Sequence, residues 1–258
     1  MKYTVLSLFP EIIDAYFATS IMAKAIQRRI IQYQAINIRD FAQDKHKTCD
    51  DAPYGGGPGM LMLPGPLASA LESVIFRSPN PPKPRTIYLS PSGRLFTQAL
   101  ALELAAEQEL VLVCGRYEGI DQRVIDQYID DEISVGDYVL SSGEVAALSV
   151  IDATYRLVDA VITPESLEEE SFSDGLLEYP QYTRPEIYGN MSVPDILLSG
   201  HHENIRKWRL EKRVEKTLRN RPDLIQRGRE LGIFTQEINS IIDRQAGEAE
   251  GDTNNERN

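Results

Sequence analysis

At 258 residues and 42% hydrophobic content, the chain has room for one large domain or two small ones and can bury a substantial core. Its longest apolar runs, such as 110–114, are far too short to span a bilayer, and the opening stretch MKYTVLSLFPEIIDAYF is broken by Pro10, Glu11 and Asp14, so it does not read as a signal peptide. A net charge of −12 excludes a surface that attracts nucleic acid everywhere, and two cysteines, Cys49 and Cys114, without a second pair at metal spacing indicate a reduced, cytoplasmic protein.

Strand and helix signals alternate through the first 160 residues. Residues 3–9 read as a strand, 10–31 as a helix opened by Pro10, and 36–41 as a second strand. A glycine-rich loop, DDAPYGGGPGM (50–60), precedes a helix over 66–76. The proline-rich SPNPPKP (78–84) reads as a connector, since proline excludes helix interiors and central strands. A strand at 86–90, a helix at 97–109 and a strand at 110–114 follow. The unbroken apolar run of the last predicts burial on both faces, as in a parallel sheet. A helix at 120–129, a short strand at 133–135 and a helix at 144–157 complete an α/β pattern with a mostly parallel sheet.

The texture then changes. TPESLEEESFSD (163–174) carries five acids and no bases, the composition of a mobile linker or lid. A Pro- and Tyr-rich stretch comes next, and 201–243 reads as helices. The segmentation is therefore a domain at 1–162, a linker at 163–175, a helical domain at 176–245 and, by composition, a disordered tail at 246–258. The adjacent His201 and His202 fit a solvated helix start better than a metal site, and His46 stands alone, so no metal cluster is read from the sequence.

Charge is uneven. Between 200 and 231 ten Lys and Arg face five Asp and Glu, a local +5 in a chain whose remainder carries −17. On a helix over 203–220, Arg206, Arg209, Arg213 and Lys216 fall within about 80° of arc, beside an apolar stripe of Leu210, Val214 and Leu218. One face docks and the other offers four cations to a polyanion, against the plain alternative of a solvated face.

Ligands of parallel α/β sheets bind beyond the carboxyl ends of the strands. Three such ends carry glycine: LSPSG (89–93), VCGRYEGID (113–121) and SVGDYVLSSGE (134–144). None is a Walker loop or GxGxxG, which disfavours a P-loop nucleotidase or a dehydrogenase. Together the loops suit a flat, mostly neutral ligand such as an adenosine. The run in 50–60 first suggests a phosphate cradle.

These segments, with PYGGGPGM, LSPSGRLF, ESFSDGLLEYPQYTRP and LLSGHHENIRKWR in this order, closely resemble the bacterial tRNA (guanine-37-N1)-methyltransferase family of the SPOUT class. The resemblance spans about residues 1–243. It implies a dimeric enzyme that uses S-adenosylmethionine, with a trefoil knot at the cofactor site that no strand count reveals, and a small helical carboxy-terminal domain. Carried onto this chain, the cofactor pocket comprises Tyr88, Leu89, Ser90, Pro91 and Gly93; Gly115, Tyr117, Glu118 and Gly119; then Val135, Gly136, Asp137, Tyr138, Val139, Leu140 and Gly143. The 50–60 loop becomes a contact for anticodon bases through Asp50, Pro58 and Gly59, so phosphate cradling alone is too narrow a reading. Arg206, Arg209, Arg213 and Lys216 become tRNA-binding residues. Magnesium dependence is implied by the resemblance only.

Methylating guanine N1 requires an acceptor for its proton and a cation for charge building on O6. The resemblance assigns the cation to Arg156. It puts the base at Glu170, where the family has aspartate, with Asp174 as the fallback. Two other departures lie near the site: Val158–Asp159–Ala160 stands where the family has Pro-Gly, and Ser141–Ser142–Gly143 where it has Ser-Gly-Gly. The expected function is methyl transfer to guanine 37 of tRNA. The alternatives are a non-catalytic RNA-binding protein of the same fold and a SPOUT enzyme with another RNA target.

Overall fold

The computed structural model describes residues 1–76, 83–163 and 169–255, with side chains described up to 247. Most of the proline-rich connector and the middle of the acidic linker therefore lie outside the described residues. The chain forms two compact units, Met1–Ile162 and one beginning at Thr163.

The first unit is built on five strands: β1 (Lys2–Ser7), β2 (Gln32–Asn37), β5 (Arg85–Leu95), β6 (Glu109–Cys114) and β7 (Asp131–Ser134). They lie in the order β2-β1-β6-β5-β7, and every pairing is parallel. β3 (Asp50–Asp51) and β4 (Leu61–Met62) form a separate antiparallel pair. Residues 110–114 are almost wholly excluded from solvent, as the apolar run predicts. Leu110, Leu112 and Cys114 face one core with α1 (Pro10–Phe17), α2 (Ser20–Gln27), α4 (Gln98–Ala105) and α6 (Gly143–Tyr155). Val111 and Val113 face the other, with α3 (Pro64–Ile75) and α5 (Gln122–Tyr128). Period-two alternation thus fills both faces of a central strand.

Three local readings are corrected. The single helix expected over 10–31 is two, because Thr19 turns its hydroxyl onto the Tyr16 carbonyl (3.0 Å) and Ser20 takes φ +57°. A hydroxyl that bonds to a preceding carbonyl competes with the helix ladder. The second strand runs over 32–37 rather than 36–41; Ile38–Phe41 is a 3₁₀ turn, opened by Asn37, whose side chain accepts from the Arg39 N–H at 3.0 Å. β2 is an edge strand, so its polar Gln-Tyr-Gln alternation hides it from a search for apolar runs. β5 continues past residue 90 through a bulge: its register on β7 jumps between Leu89 and Arg94, and Pro91 sits within the jump. A bulge is where a strand tolerates proline.

In the second unit, α8 (His202–Asn220), α9 (Pro222–Glu230) and α10 (Gln236–Asn255) enclose Leu176, Val214, Ile225, Phe234, Ile238 and Ile242. A short α7 (Asp195–Leu198) and the hairpin of β8 (Ile187–Tyr188) with β9 (Met191–Ser192) precede α8. The backbone of α10 is helical to Asn255, through most of the stretch whose composition indicates a disordered tail.

Candidate active site

The carboxyl ends of β5, β6 and β7 open into one pocket of about 320 Å³, within the roughly 300–1,000 Å³ of small-molecule sites. Fourteen of the sixteen cofactor residues expected from the sequence line it: Tyr88 to Pro91, Gly115, Tyr117 to Gly119, Val135, Gly136, Tyr138 to Leu140 and Gly143. Gly93 and Asp137 do not. A Cβ on Gly93 would lie 2.4 Å from the backbone of Glu132 and Ile133, so this glycine lets β5 pass β7 rather than meeting a ligand. Ser92, Arg116, Ile133, Ser134, Ser141, Ser142 and Ala146 also line the pocket. Ser92 sits in the bulge, and Ser141 and Ser142 sit in a loop already identified, so adjacency was their only signal.

Each loop is held by its own chemistry. In the first, the Ser92 N–H donates to Ser90 Oγ at 3.2 Å. The second turns at Tyr117 (φ +56°) and Gly119 (φ +126°), and the Gly119 N–H reaches the Arg116 carbonyl at 3.0 Å. A non-glycine residue at positive φ costs backbone strain of the kind that gathers at binding sites. In the third, Ser134 Oγ donates to the Gly136 carbonyl at 3.0 Å, and the Tyr138 N–H reaches the same carbonyl at 2.9 Å. Burial pushes the Tyr88 phenol above its ordinary value, and the Glu132 charge adds to the effect.

The second and third loops meet at two glycines. The Gly143 N–H donates to the Gly115 carbonyl at 2.9 Å, and a Cβ on Gly143 would lie 2.6 Å from Gly115 N. A Cβ on Gly115 would press on the Tyr88 ring at 2.9 Å. These glycines let the second and third loops and the Tyr88 ring close on one another, and that close packing shapes the pocket wall.

The glycine-rich loop is tied to the same place. Its stalk is β3 paired with β4, and beyond it Glu118 N–H donates to the Met60 carbonyl and Met62 N–H to the Gly119 carbonyl, each at 3.0 Å. Gly59 abuts the Glu118 side chain, and its φ of +88° is a conformation that glycine takes without strain. Gly55, Gly56 and Gly57 all have positive φ, yet a Cβ on any of them would meet nothing within 4 Å. Their use is conformational: they shape an open tip that carries the fully exposed Tyr54. Asp50, Pro58 and Gly59 lie along this hairpin, beside the pocket wall.

Arg156 caps the carboxyl end of α6, the helix whose first residue is Gly143. Glu170 belongs to the second unit. Its carbonyl accepts from Ser173 N–H (3.2 Å) and Ser173 Oγ (2.8 Å), and Ser171 Oγ accepts from Glu178 N–H at 3.0 Å. The described end of the acidic segment is thus a built turn, where composition indicates a mobile lid.

The cationic stripe of α8 needs correction. Arg213 points inward, 6% exposed at its side chain, and its guanidinium holds Asp174 with both terminal nitrogens while Nε donates to the Leu177 carbonyl at 3.3 Å. Lys216 Nζ donates to the Glu178 carbonyl at 3.0 Å. Arg206 pairs with Glu203 and Glu237, and Arg209 lies over the Tyr179 ring at 4.6 Å. Helical spacing sets these residues on one face, but it does not show that one of them is turned inward onto a carboxylate while Arg206 and Arg209 stay partly exposed. Arg213 is a structural cation, and Asp174 is its partner.

Among the described residues, no group of three or more His, Cys, Asp or Glu side chains is arranged to hold a metal ion, and no helix is long and apolar enough to cross a membrane.

A family model described as tRNA (Guanine-1)-methyltransferase TrmD matches residues 1–227. The chain belongs to this family. It is 62% identical over 242 residues to a tRNA (guanine-N(1)-)-methyltransferase of Treponema denticola, covering 94% of this chain and 98% of the relative. The protein of that name from Treponema pallidum is 59% identical, covering 94% and 95%, and that from Borreliella burgdorferi 58% identical over 226 residues, covering 87% and 92%. The matched span takes in all three pocket loops, the glycine hairpin, Arg156, Glu170 and α8.

Proposed function

We propose that the chain transfers a methyl group from S-adenosylmethionine to N1 of guanine 37 in tRNA, acting in the cytoplasm as a homodimer. The observation that carries this reading is the convergence of three glycine-bearing strand ends on one pocket, braced by the glycine hairpin, in a member of this family. The shared name of the relatives supports the tRNA and the guanine N1 parts of it. The family resemblance adds position 37, the dimer and the knot.

The pocket suits the cofactor in its size and in the loops that surround it. Gly115 and Gly143 let those loops close on one another, while residues 89–92 and 135–140 offer hydrogen-bonding edges around the space. When bound, S-adenosylmethionine supplies an electrophilic methyl group on a sulfonium. The protein's own task is to hold guanine against it and to manage one proton. Guanine N1 carries a hydrogen, and Glu170 accepts it. As that proton leaves, negative charge builds on O6, and the permanently charged guanidinium of Arg156 stabilises it there until N1 takes the methyl group and the base is neutral again. Asp50, Pro58 and Gly59 position the neighbouring base, with Arg206, Arg209 and Lys216 steering the tRNA. Segment 163–175 serves as the linker that carries Glu170, and 176–245 as the tRNA-binding domain.

Asp174 is the weaker candidate for the base, because Arg213 engages both of its oxygens. That two-pronged contact fixes the carboxylate on α8 and occupies both oxygens, whereas Glu170 is not held in this way by Arg213. Digestion of a tRNA transcript to nucleosides after incubation with the protein and S-adenosylmethionine tests the chemistry: N1-methylguanosine is expected. Another methylated nucleoside would favour a different target, and unmodified RNA that is nonetheless bound would favour the non-catalytic alternative.

A further inference from the structure

Two motifs of the second unit, LLEYPQYTRP and LLSGHHENIRKWR, are barely used by the reaction described above. The structure brings them together. Tyr179 to Arg184 from the first, and Leu197, Ile205, Trp208 and Arg209 from the second, line a cavity of about 510 Å³ within this unit. Its walls are aromatic and charged, with two guanidiniums, Arg184 and Arg209, and one carboxylate, Glu186. The Tyr182 and Trp208 rings lie 6.4 Å apart at 53°, and the Arg209 guanidinium covers the Tyr179 ring at 4.6 Å. Arg184 adds a second guanidinium. Arg209 Nε is buried and has no hydrogen-bond partner among the described residues, although another nitrogen of the same group sits 3.6 Å from Glu169. A buried donor left unpaired costs about 1–3 kcal/mol, so a shift of this guanidinium toward an acceptor in the cavity would relieve it.

We propose that this cavity takes one unstacked nucleotide of the tRNA substrate. The base stacks on the Tyr182–Trp208 pair, and its carbonyl or adjoining phosphate accepts from Arg209 and Arg184. Single-stranded RNA is recognised through exposed π faces on aromatic and guanidinium planes. A nucleotide offers a π face and negative charge together, whereas an apolar peptide side chain would leave Nε of Arg209 unpaired. The local excess of cations between residues 200 and 231 favours the same occupant. The proposal rests on the tRNA-modifying reading and gives it a second contact, separate from the base that is methylated.

Trp208 is the chain's only tryptophan, so its fluorescence reports on this cavity without background. Titration with a tRNA transcript should quench it, and S-adenosylmethionine alone should not. In a set of transcripts with single abasic positions, one should lose the quenching and bind roughly 5- to 150-fold more weakly, the worth of one stacked base. Trp208→Ala should show a similar loss with unchanged calorimetric binding of S-adenosylmethionine, and Trp208→Phe should recover most of the affinity. Saturating tRNA binding without quenching, together with full affinity of Trp208→Ala, would overturn the proposal. So would dissociation of dimers by Tyr182→Ala or Trp208→Ala in sedimentation, which would assign the cavity to an interface between copies. Quenching by a single-stranded oligoribonucleotide without methyl transfer to any tRNA would keep the pocket and remove the enzymatic reading. Methyl transfer without quenching would do the reverse.

Discussion

Replacing Arg213 with alanine distinguishes the two roles open to this side chain. If it is an internal clamp, the variant strands Asp174 and loses the bond to the Leu177 carbonyl, while Thr217 and Lys216 still hold Leu177 and Glu178 to α8. Removing one partner of a buried ion pair costs about 3–5 kcal/mol. Asp174 is 39% exposed at its side chain and recovers some hydration, which lowers the expected cost to about 2–3 kcal/mol. That is roughly 30- to 150-fold in the folding equilibrium of the unit. Urea unfolding followed by Trp208 fluorescence reads this unit directly. At a slope of about 1–3 kcal/mol per molar, the midpoint should fall by roughly 0.7 to 3 M with the slope unchanged. Arg213→Lys keeps the charge but not the two-pronged grip and should fall between. Salt dependence of tRNA binding, measured where each variant is folded, should keep its slope. An unmoved urea midpoint, with a salt slope smaller by about one, would refute the clamp and restore Arg213 to the phosphate-binding face.

Three further outcomes follow from the pocket and the linker. Gly143→Ala places a Cβ against Gly115 N and should weaken S-adenosylmethionine binding by roughly 5- to 150-fold, the usual range for overpacking; calorimetry showing wild-type affinity would mean that the two loops need not touch. Glu170→Gln should bind the cofactor normally yet lose most methyl transfer, since the amide cannot take the N1 proton, and near-wild-type single-turnover rates would move the base elsewhere. Mixing Gly115→Trp with Glu170→Gln tests a site shared between subunits: random exchange makes about half the dimers mixed, each with one intact site, so about one quarter of wild-type activity should return. Mixed dimers verified by mass spectrometry but inactive would mean that each chain builds its own site.

The sequence exposes the parallel sheet because burial on both faces leaves its mark in Leu110 to Cys114, and it exposes the three pocket loops because glycine after a strand has few other uses there. It does not expose contacts whose partners are far apart in the chain. Arg213 and Asp174 are 39 residues apart, and helical spacing fixes a direction without saying what stands opposite. The break at Thr19 and the bulge around Pro91 escape for another reason. Each depends on one residue's local preference outweighing an otherwise continuous pattern. Gly93 is legible as a glycine that matters, but its tight neighbour is the adjacent strand rather than a ligand, and only coordinates distinguish those roles. The cavity between the two carboxy-terminal motifs joins segments that share no periodicity.

The central claim is that the chain methylates guanine 37, and paired substrates test it most directly. Purified protein is incubated with S-adenosylmethionine labelled in its methyl group and with two tRNA transcripts that differ only at position 37, one carrying G and the other A. The account predicts label incorporated into the G37 transcript and none into its A37 counterpart. Equal labelling of both, or of neither while tRNA binding persists, would contradict it.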